Sequence, residues 1–366
     1  MEEKPKKVMI ISNATGGLYI FRKRLIEALQ EKGCKVVILS VFTSRAELLK
    51  ETGAEVIETP FDQRGISLTK ETALYSLYNR YIKDIQPDLI ITYTIKPNIF
   101  GGLAAQKRHI PYTANITGLG TVFQREGILN KASTILYRAA LRKAKNVFFE
   151  NSSNREYFVG KRIVNKEKTV VLPGAGVDLR EFGILDYPQD SNTVHFIFIG
   201  RIMKEKGIQE LFGATKRLYR EKNSIRLTVV GGFEEHYQDT IKAYEEEGWL
   251  RYIGYVTDVR PYIKEAHCAV LPSYHEGMSN TNLECAASGR PLITSNIPGC
   301  KEAVIEGVTG LLCEPRNEES LYAAMKQMLE MRNEDRREMG IAGRRHMEEE
   351  FDKERVVNET IRHLLQ

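Results

Sequence analysis

The segment Ser273-Tyr-His-Glu-Gly-Met-Ser-Asn-Thr-Asn-Leu-Glu-Cys-Ala-Ala287 concentrates side chains that can do chemistry. Gly277 and Ser279 suit a loop, and Asn280 is a good N-cap for a helix starting near Thr281. The first turn of such a helix has unpaired N–H groups at the positive end of its dipole, which makes Ser279, Asn280, Thr281 and Asn282 candidates to meet an anion such as a diphosphate. Glu276 lies in the loop and Glu284 one helical turn in. Two carboxylates would repel a diphosphate, so they are expected to flank it and to accept hydrogen bonds from hydroxyls. A nucleotide sugar has that layout, with ribose on one side and the sugar on the other. Taken alone, two acids eight residues apart also suit a solvated helix residue and a loop carboxylate.

Cations for the diphosphate are available in Gly200-Arg-Ile-Met-Lys-Glu-Lys-Gly207, where Arg201 and Lys206 would project from a strand-to-helix loop. Neutralising a leaving diphosphate is a task elsewhere given to a divalent metal. No Asp-x-Asp motif occurs to hold one, and no close pair is found among the five cysteines, so no metal site is expected. An ordinary charged loop would carry the same residues. Gly16 and Gly17 follow an apolar strand and permit close backbone approach to a ligand, although a tight turn accounts for them equally well. They do not form the G-x-G-x-x-G dinucleotide fingerprint.

These residues need elements that hold them at one edge. Short apolar runs at Val8–Ser12, Lys35–Val41, Asp88–Thr94 and Asn146–Glu150 alternate with helical patterns, the first over residues 18–32. The pattern restarts at His195–Gly200, Arg226–Gly231, Cys268–Pro272 and Pro291–Ser295, with helices such as 207–221 and 281–288 between them. The turn-rich Gly183–Asn192 reads as a linker. The expected class is α/β, with two doubly wound, Rossmann-like parallel sheets facing across a cleft. The domains are expected at 1–184 and 185–350, with an amphipathic segment at 351–366 packing back on the first.

The chain has 366 residues, 42% hydrophobic and 28% charged, with a net charge of +5. Residues 1–185 hold 29 Lys+Arg against 18 Asp+Glu, and the remainder 24 against 30. A basic first half joined to an acidic second half suggests that the first meets something anionic. No aromatic–basic interleaving supports a nucleic acid. No run approaches a membrane span, and the start Met1-Glu-Glu-Lys-Pro-Lys-Lys7 is unlike a signal peptide. A reducing cytoplasm is expected.

In combination these signals resemble the retaining family 4 glycosyltransferases of GT-B fold. The matching features are Gly16-Gly17, Gly200-Arg201, Lys206-Gly207, Leu271-Pro-Ser-Tyr-x-Glu-Gly277, the E-x7-E spacing of Glu276 and Glu284, and the run Arg290–Glu302 followed by Gly310-Leu-Leu312. Lys96-Pro-Asn98 and Ile116-Thr-Gly-Leu-Gly-Thr-Val-Phe123 are similar to a bacterial subgroup that extends lipid-linked oligosaccharides for surface polysaccharides or glycoproteins, including enzymes acting on a diacetylbacillosamine carried by undecaprenyl diphosphate. The resemblance implies a UDP-sugar donor, retention of configuration, no metal or other cofactor, and a polyprenyl-diphosphate saccharide as acceptor. It implies Glu276 on the donor sugar, Glu284 on the ribose, and Arg201 and Lys206 on the diphosphate. Lys96, Asn98, Thr117 and Arg125 are the expected acceptor contacts. Many members carry a histidine in the first domain; here that domain has only His109, ahead of Ile110-Pro111, and the Thr117–Gly120 loop is expected in its place. Lys131, Arg138, Arg142, Lys143 and Lys145 with Ile135, Leu136, Tyr137 and Leu141 suit a basic amphipathic helix on the inner face of an anionic membrane, and equally a domain-packing helix with a solvated face. A UDP-sugar epimerase and a non-catalytic partner subunit are the competing readings.

Overall fold

The computed structural model describes residues 6–60, 68–120, 123, 127–189, 192–222 and 224–365. It divides into two units, Met1–Ala175 with Glu354–Gln366, and Gly176–Lys353. The division falls earlier than the expected 184/185 boundary because Val177, Leu179, Phe182 and Leu185 pack into the second unit's core.

The first unit is built on seven parallel strands: β1 (Lys7–Ser12), β2 (Lys35–Ser40), β3 (Glu55–Glu58), β4 (Leu89–Tyr93), β5 (Tyr112–Ile116), β6 (Asn146–Phe149) and β7 (Thr169–Val171), in the order β3-β2-β1-β4-β5-β6-β7. Helices cover both faces, as the continuous apolar runs require: Val8, Met9, Ile10 and Ile11 have no exposure at all. They are α1 (Thr15–Glu31), α2 (Ala46–Lys50), α3 (Leu68–Ile85), α4 (Gly102–Arg108), α5 (Ile128–Leu141) and α6 (Ser152–Gly160). A π-helical turn, Pro97–Gly101, leads into α4.

The second unit repeats the plan with six parallel strands: β8 (Val194–Ile199), β9 (Ile225–Val230), β10 (Leu250–Gly254), β11 (Cys268–Leu271), β12 (Leu292–Ser295) and β13 (Gly310–Cys313), in the order β10-β9-β8-β11-β12-β13. Its helices are α7 (Ile208–Lys222), α8 (Gln238–Glu246), α9 (Arg260–Glu265), α10 (Asn280–Ala287), α11 (Glu318–Glu330) and α12 (Asn333–Glu350). The chain then returns to the first unit as α13 (Lys353–Leu365), whose Val356, Val357, Ile361 and Leu364 join the cluster of Val8, Ile10 and Leu25.

In each sheet the strand order reverses between two neighbours, β1 and β4 in the first and β8 and β11 in the second. Connections leaving the carboxyl ends of those strands diverge to opposite faces and open a crevice, the usual ligand position in such sheets. The Gly16-Gly17 pair follows β1, Arg201 and Lys206 follow β8, and Glu276 follows β11.

Candidate donor and acceptor sites

In the second unit the loops after β8 and β11 are tied together by backbone contacts. Tyr274 N donates to Glu205 O at 2.9 Å. Lys204–Lys206 forms a single 3-10 turn that ends on Gly207 at φ +69°. A Cβ on Gly207 would stand 2.1 Å from the Pro272 carbonyl oxygen, so only glycine allows this approach. The result is an ion pair between Lys206 and Glu276, whose side chains are 18% and 14% exposed. Ser273 Oγ, fully buried, donates to the same Glu276 Oε1 at 2.8 Å. Arg201 stands apart: it is 58% exposed and its nearest acid is Glu234, at 3.6 Å.

Helix α10 begins one residue earlier than expected. Ser279, not Asn280, is the N-cap, because its Oγ accepts from Asn282 N at 3.3 Å. Ser279 N in turn donates to Gly299 O at 2.7 Å, anchoring the cap. The N–H groups of Asn280 and Thr281 lie outside the cap bond and keep the positive end of the helix available. Thr281 Oγ1 donates to Ile199 O at 3.2 Å, joining the helix to the end of β8. Asn282 does not stand with the open end: it is buried, and its Nδ2 donates to Thr294 Oγ1 at 2.9 Å. Its part is to pin α10 to β12.

Glu284 is half-buried, and among the described residues nothing donates a hydrogen bond to its carboxylate. Burial pushes its pKa up to about 7; Lys353 draws it down and Glu181 up by lesser amounts. A carboxylate in such surroundings gains from incoming hydroxyl donors. His275, next to Glu276, is exposed.

In the first unit Gly16 and Gly17 belong to the first turn of α1 rather than to a loop before it. Gly16 N already donates to Thr43 Oγ1 at 3.0 Å, and a Cβ there would meet Ser44 Oγ at 2.7 Å. Gly17 has nothing within 4 Å of where its Cβ would be, so that side of the helix start is open. Lys96 is paired with Glu71 on α3 at 3.0 Å. Asn98 is placed in the interior, not at the sheet edge: its Oδ1 accepts from Thr92 Oγ1 at 2.7 Å and its Nδ2 donates to Asn115 O at 2.9 Å. Thr117 directly follows β5 at the carboxyl edge, half-buried. Arg125 lies outside the described residues. His109 caps the C-terminus of α4 with φ +56°, at the amino edge of the sheet and therefore at the end opposite the candidate site.

Two groups escape sequence reading. Ser273 gives no signal beyond its place in the motif, because its service to Glu276 depends on the loop's path. Thr94 directly follows β4 with φ +73°, a conformation costing about 1–3 kcal/mol for a β-branched residue, and its buried Oγ1 has no hydrogen-bond partner among the described residues. Among the described residues no group of three His, Cys, Asp or Glu could hold a metal ion, and no helix is long and apolar enough to cross a membrane.

Two parallel sheets with switch-point crevices, the second holding a cation–carboxylate pair beside a helix N-terminus, form an arrangement suited to a phosphate-bearing ligand. Residues 186–346 match the family described as glycosyl transferases group 1, and residues 7–151 match glycosyl transferase 4-like. The chain belongs to these GT-B, family 4-like glycosyltransferases. It is 25% identical over 342 residues to an N,N'-diacetylbacillosaminyl-diphospho-undecaprenol alpha-1,3-N-acetylgalactosaminyltransferase of Campylobacter jejuni, covering 88% of this chain and 89% of that protein. It is 24% identical over 363 residues to the capsular polysaccharide biosynthesis glycosyltransferase CapM of Staphylococcus aureus, covering 91% and 90%. The fold is shared with Anabaena Alr3699/HepE, solved in complex with UDP and glucose, at a TM-score of 0.80 and 17% identity over 98% of this chain and 99% of that one.

Proposed function

We propose that this glycosyltransferase moves a hexose or N-acetylhexosamine from a UDP-sugar to a saccharide carried on a polyprenyl diphosphate, with retention and without a metal. The observation that carries the donor half is the Lys206–Glu276 pair beside the start of α10, at the switch point of the second sheet. The acceptor half rests on the full-length likeness to transferases whose names specify undecaprenyl-diphosphate and capsular saccharides.

In this reading the diphosphate lies against the amides of Asn280 and Thr281, with Lys206 between it and Glu276. Arg201, 58% exposed, is paired among the described residues with Glu234, a contact worth at most about 1 kcal/mol, and can turn to the diphosphate at little cost. Glu276 keeps one face for donor-sugar hydroxyls, and Glu284 accepts from the ribose. The acceptor hydroxyl oxygen attacks the anomeric carbon from the face that the diphosphate leaves. As the bond from that carbon to phosphate oxygen breaks, the hydroxyl proton passes to the departing oxygen, so no protein base is required. Lys206, Arg201 and the helix amides offset the developing charge.

The acceptor falls to the first, basic unit. On α5, Ile135 is 62% and Leu136 39% exposed, and Lys131, Arg138, Arg142 and Lys143 are exposed on or just after the same helix. Such a surface suits an anionic bilayer, each nearby cation contributing about 1 kcal/mol. Replacing Ile135 and Leu136 by Asp should weaken sedimentation with phosphatidylglycerol vesicles by tenfold or more while phosphatidylcholine binding stays low; unchanged sedimentation would remove this face from consideration. The reaction itself is tested with a panel of UDP-sugars against undecaprenyl-diphosphate-linked mono- and disaccharides, read by product mass. A product heavier by one sugar residue is expected. Epimerised free nucleotide sugar in place of that product would favour the epimerase reading.

A further inference from the structure

The costly features of the first unit gather at the carboxyl edge of its sheet. Glu71 stands in the first turn of α3, the helix that follows β3, and helices following parallel strands begin at that edge. Its side chain is 11% exposed, and although Lys96 Nζ lies 3.0 Å from Oε1 as an ion pair, neither carboxylate oxygen is hydrogen-bonded among the described residues. A buried carboxylate without hydrogen bonds is costly unless something else supplies them. Lys96 comes from the connection after β4, three residues before the middle of the Pro97–Gly101 π-helical turn, a distortion often retained at functional sites. Thr94 opens that connection. Its carbonyl accepts from Asn98 N at 2.9 Å, which fixes the turn, while its own buried hydroxyl has no partner among the described residues and its φ is left-handed.

The chemistry of this group differs from that expected of Lys96 alone. A lone lysine would suit the acceptor's diphosphate. Paired at 3.0 Å with a carboxylate, it presents no net positive charge, and a diphosphate approaching it would meet Glu71. An ion-paired carboxylate with no hydrogen bond among the described residues, and a hydroxyl equally without one, instead complement the O–H groups of a neutral sugar. We propose that Glu71, held by Lys96, and Thr94 Oγ1 recognise hydroxyl groups of the acceptor saccharide rather than its diphosphate. This assignment rests on the reading that the first unit binds a saccharide acceptor.

The test uses the full chain, the UDP-sugar that turns over in the panel above, and the undecaprenyl-diphosphate-linked saccharide with the highest wild-type turnover. Glu71→Gln and Thr94→Val should each raise the acceptor KM tenfold or more while the donor KM and acceptor-independent UDP release stay within twofold of wild type. The swapped pair, Glu71→Lys with Lys96→Glu, separates recognition from folding: it keeps an ion pair, so the melting temperature should hold while the acceptor KM rises as in Glu71→Gln. Thr94→Val removes an unpaired buried hydroxyl, so a purely structural residue would gain stability with no change in KM. Acceptor KM within twofold of wild type in Glu71→Gln and in the swapped pair, or equal rises in donor and acceptor KM accompanied by melting-temperature loss, would overturn the assignment. A wild-type chain that hydrolyses UDP-sugar but extends none of the acceptors would overturn the reading beneath it.

Discussion

The ribose contact proposed for Glu284 would couple the burial of one side chain to ligand binding. The Glu284 pKa is pushed up to about 7, so near neutrality the carboxyl is only partly ionised. In the proposed role, ribose hydroxyls would donate to the ionised form and favour it, so donor binding would release a proton. The donor KM should therefore fall as pH rises from about 6 to 8, and Glu284→Gln should flatten that trend; a wild-type donor KM independent of pH over that range would contradict the role. The stability sign is the reverse. The folded pKa exceeds the unfolded one, so the contribution is complete below about 4.5 and is lost as pH rises through about 7. At this scale the sequence singled out Glu276, Lys206 and Glu284 by type and spacing, and the structure pairs the first two. Their contacts were not legible from sequence. The Lys206–Glu276 pair depends on the Gly207–Pro272 approach, and the burial of Asn98 and Asn282 depends on which neighbours reach them.

Among the elements, α10 and the turn before α7 carry the geometry of the proposed donor site. Ser279→Ala should cost about 1 kcal/mol through the lost cap, seen as a lower urea midpoint. Gly207→Ala should do more. The left-handed backbone alone costs an alanine roughly 1–2 kcal/mol, and the new Cβ must push the Pro272 carbonyl away. Displacing the loop that carries Lys206 by about 1 Å should lower kcat on the order of 10²-fold; wild-type turnover in Gly207→Ala would show that this approach does not position the site. Strands with continuous apolar runs, such as β1, β2 and β11, were readable from sequence. Five were not. Residues 55–58 read Glu-Val-Ile-Glu with half-buried centres, and β5 alternates Tyr112, Ala114 and Ile116 with Thr113 and Asn115 although every one of them is buried. Strands β7, β10 and β13 are short or lie at or near a sheet edge, where periodicity carries little information. The cap of α10 was misplaced by one residue because Ser279 and Asn280 are both good caps, and only the path after Gly277 selects between them.

For the whole molecule, two-unit construction and the return of the C-terminal helix were legible from the restart of the β/α pattern and the amphipathic tail. The crossing point was not, because the residues after Ala175 are spaced apolar positions in a turn-rich segment, and only their packing assigns them. Acid sensitivity follows from the interior of the second unit. His267 is buried, its Nδ1 accepts from His195 N at 3.1 Å, and its pKa is pushed down to about 4, by burial first and then by Arg336 and His195. The unfolded chain binds that proton near pH 6.5, so stability is complete above about 6.5 and falls as pH drops towards about 4. His267→Gln should reduce the difference in urea midpoint between pH 7 and pH 5, and an unchanged difference would place the acid-labile groups elsewhere.

The central claim is that Lys206, set against Glu276 at the start of α10, stabilises a departing nucleotide diphosphate. Its most direct test is the steady-state kcat of Lys206→Ala with UDP-sugar and lipid-linked acceptor, alongside the melting temperature. Loss of one charge-stabilising donor predicts a kcat lower by about 10²–10³-fold with the melting temperature little changed. A folded Lys206→Ala variant turning over at the wild-type rate would contradict the account.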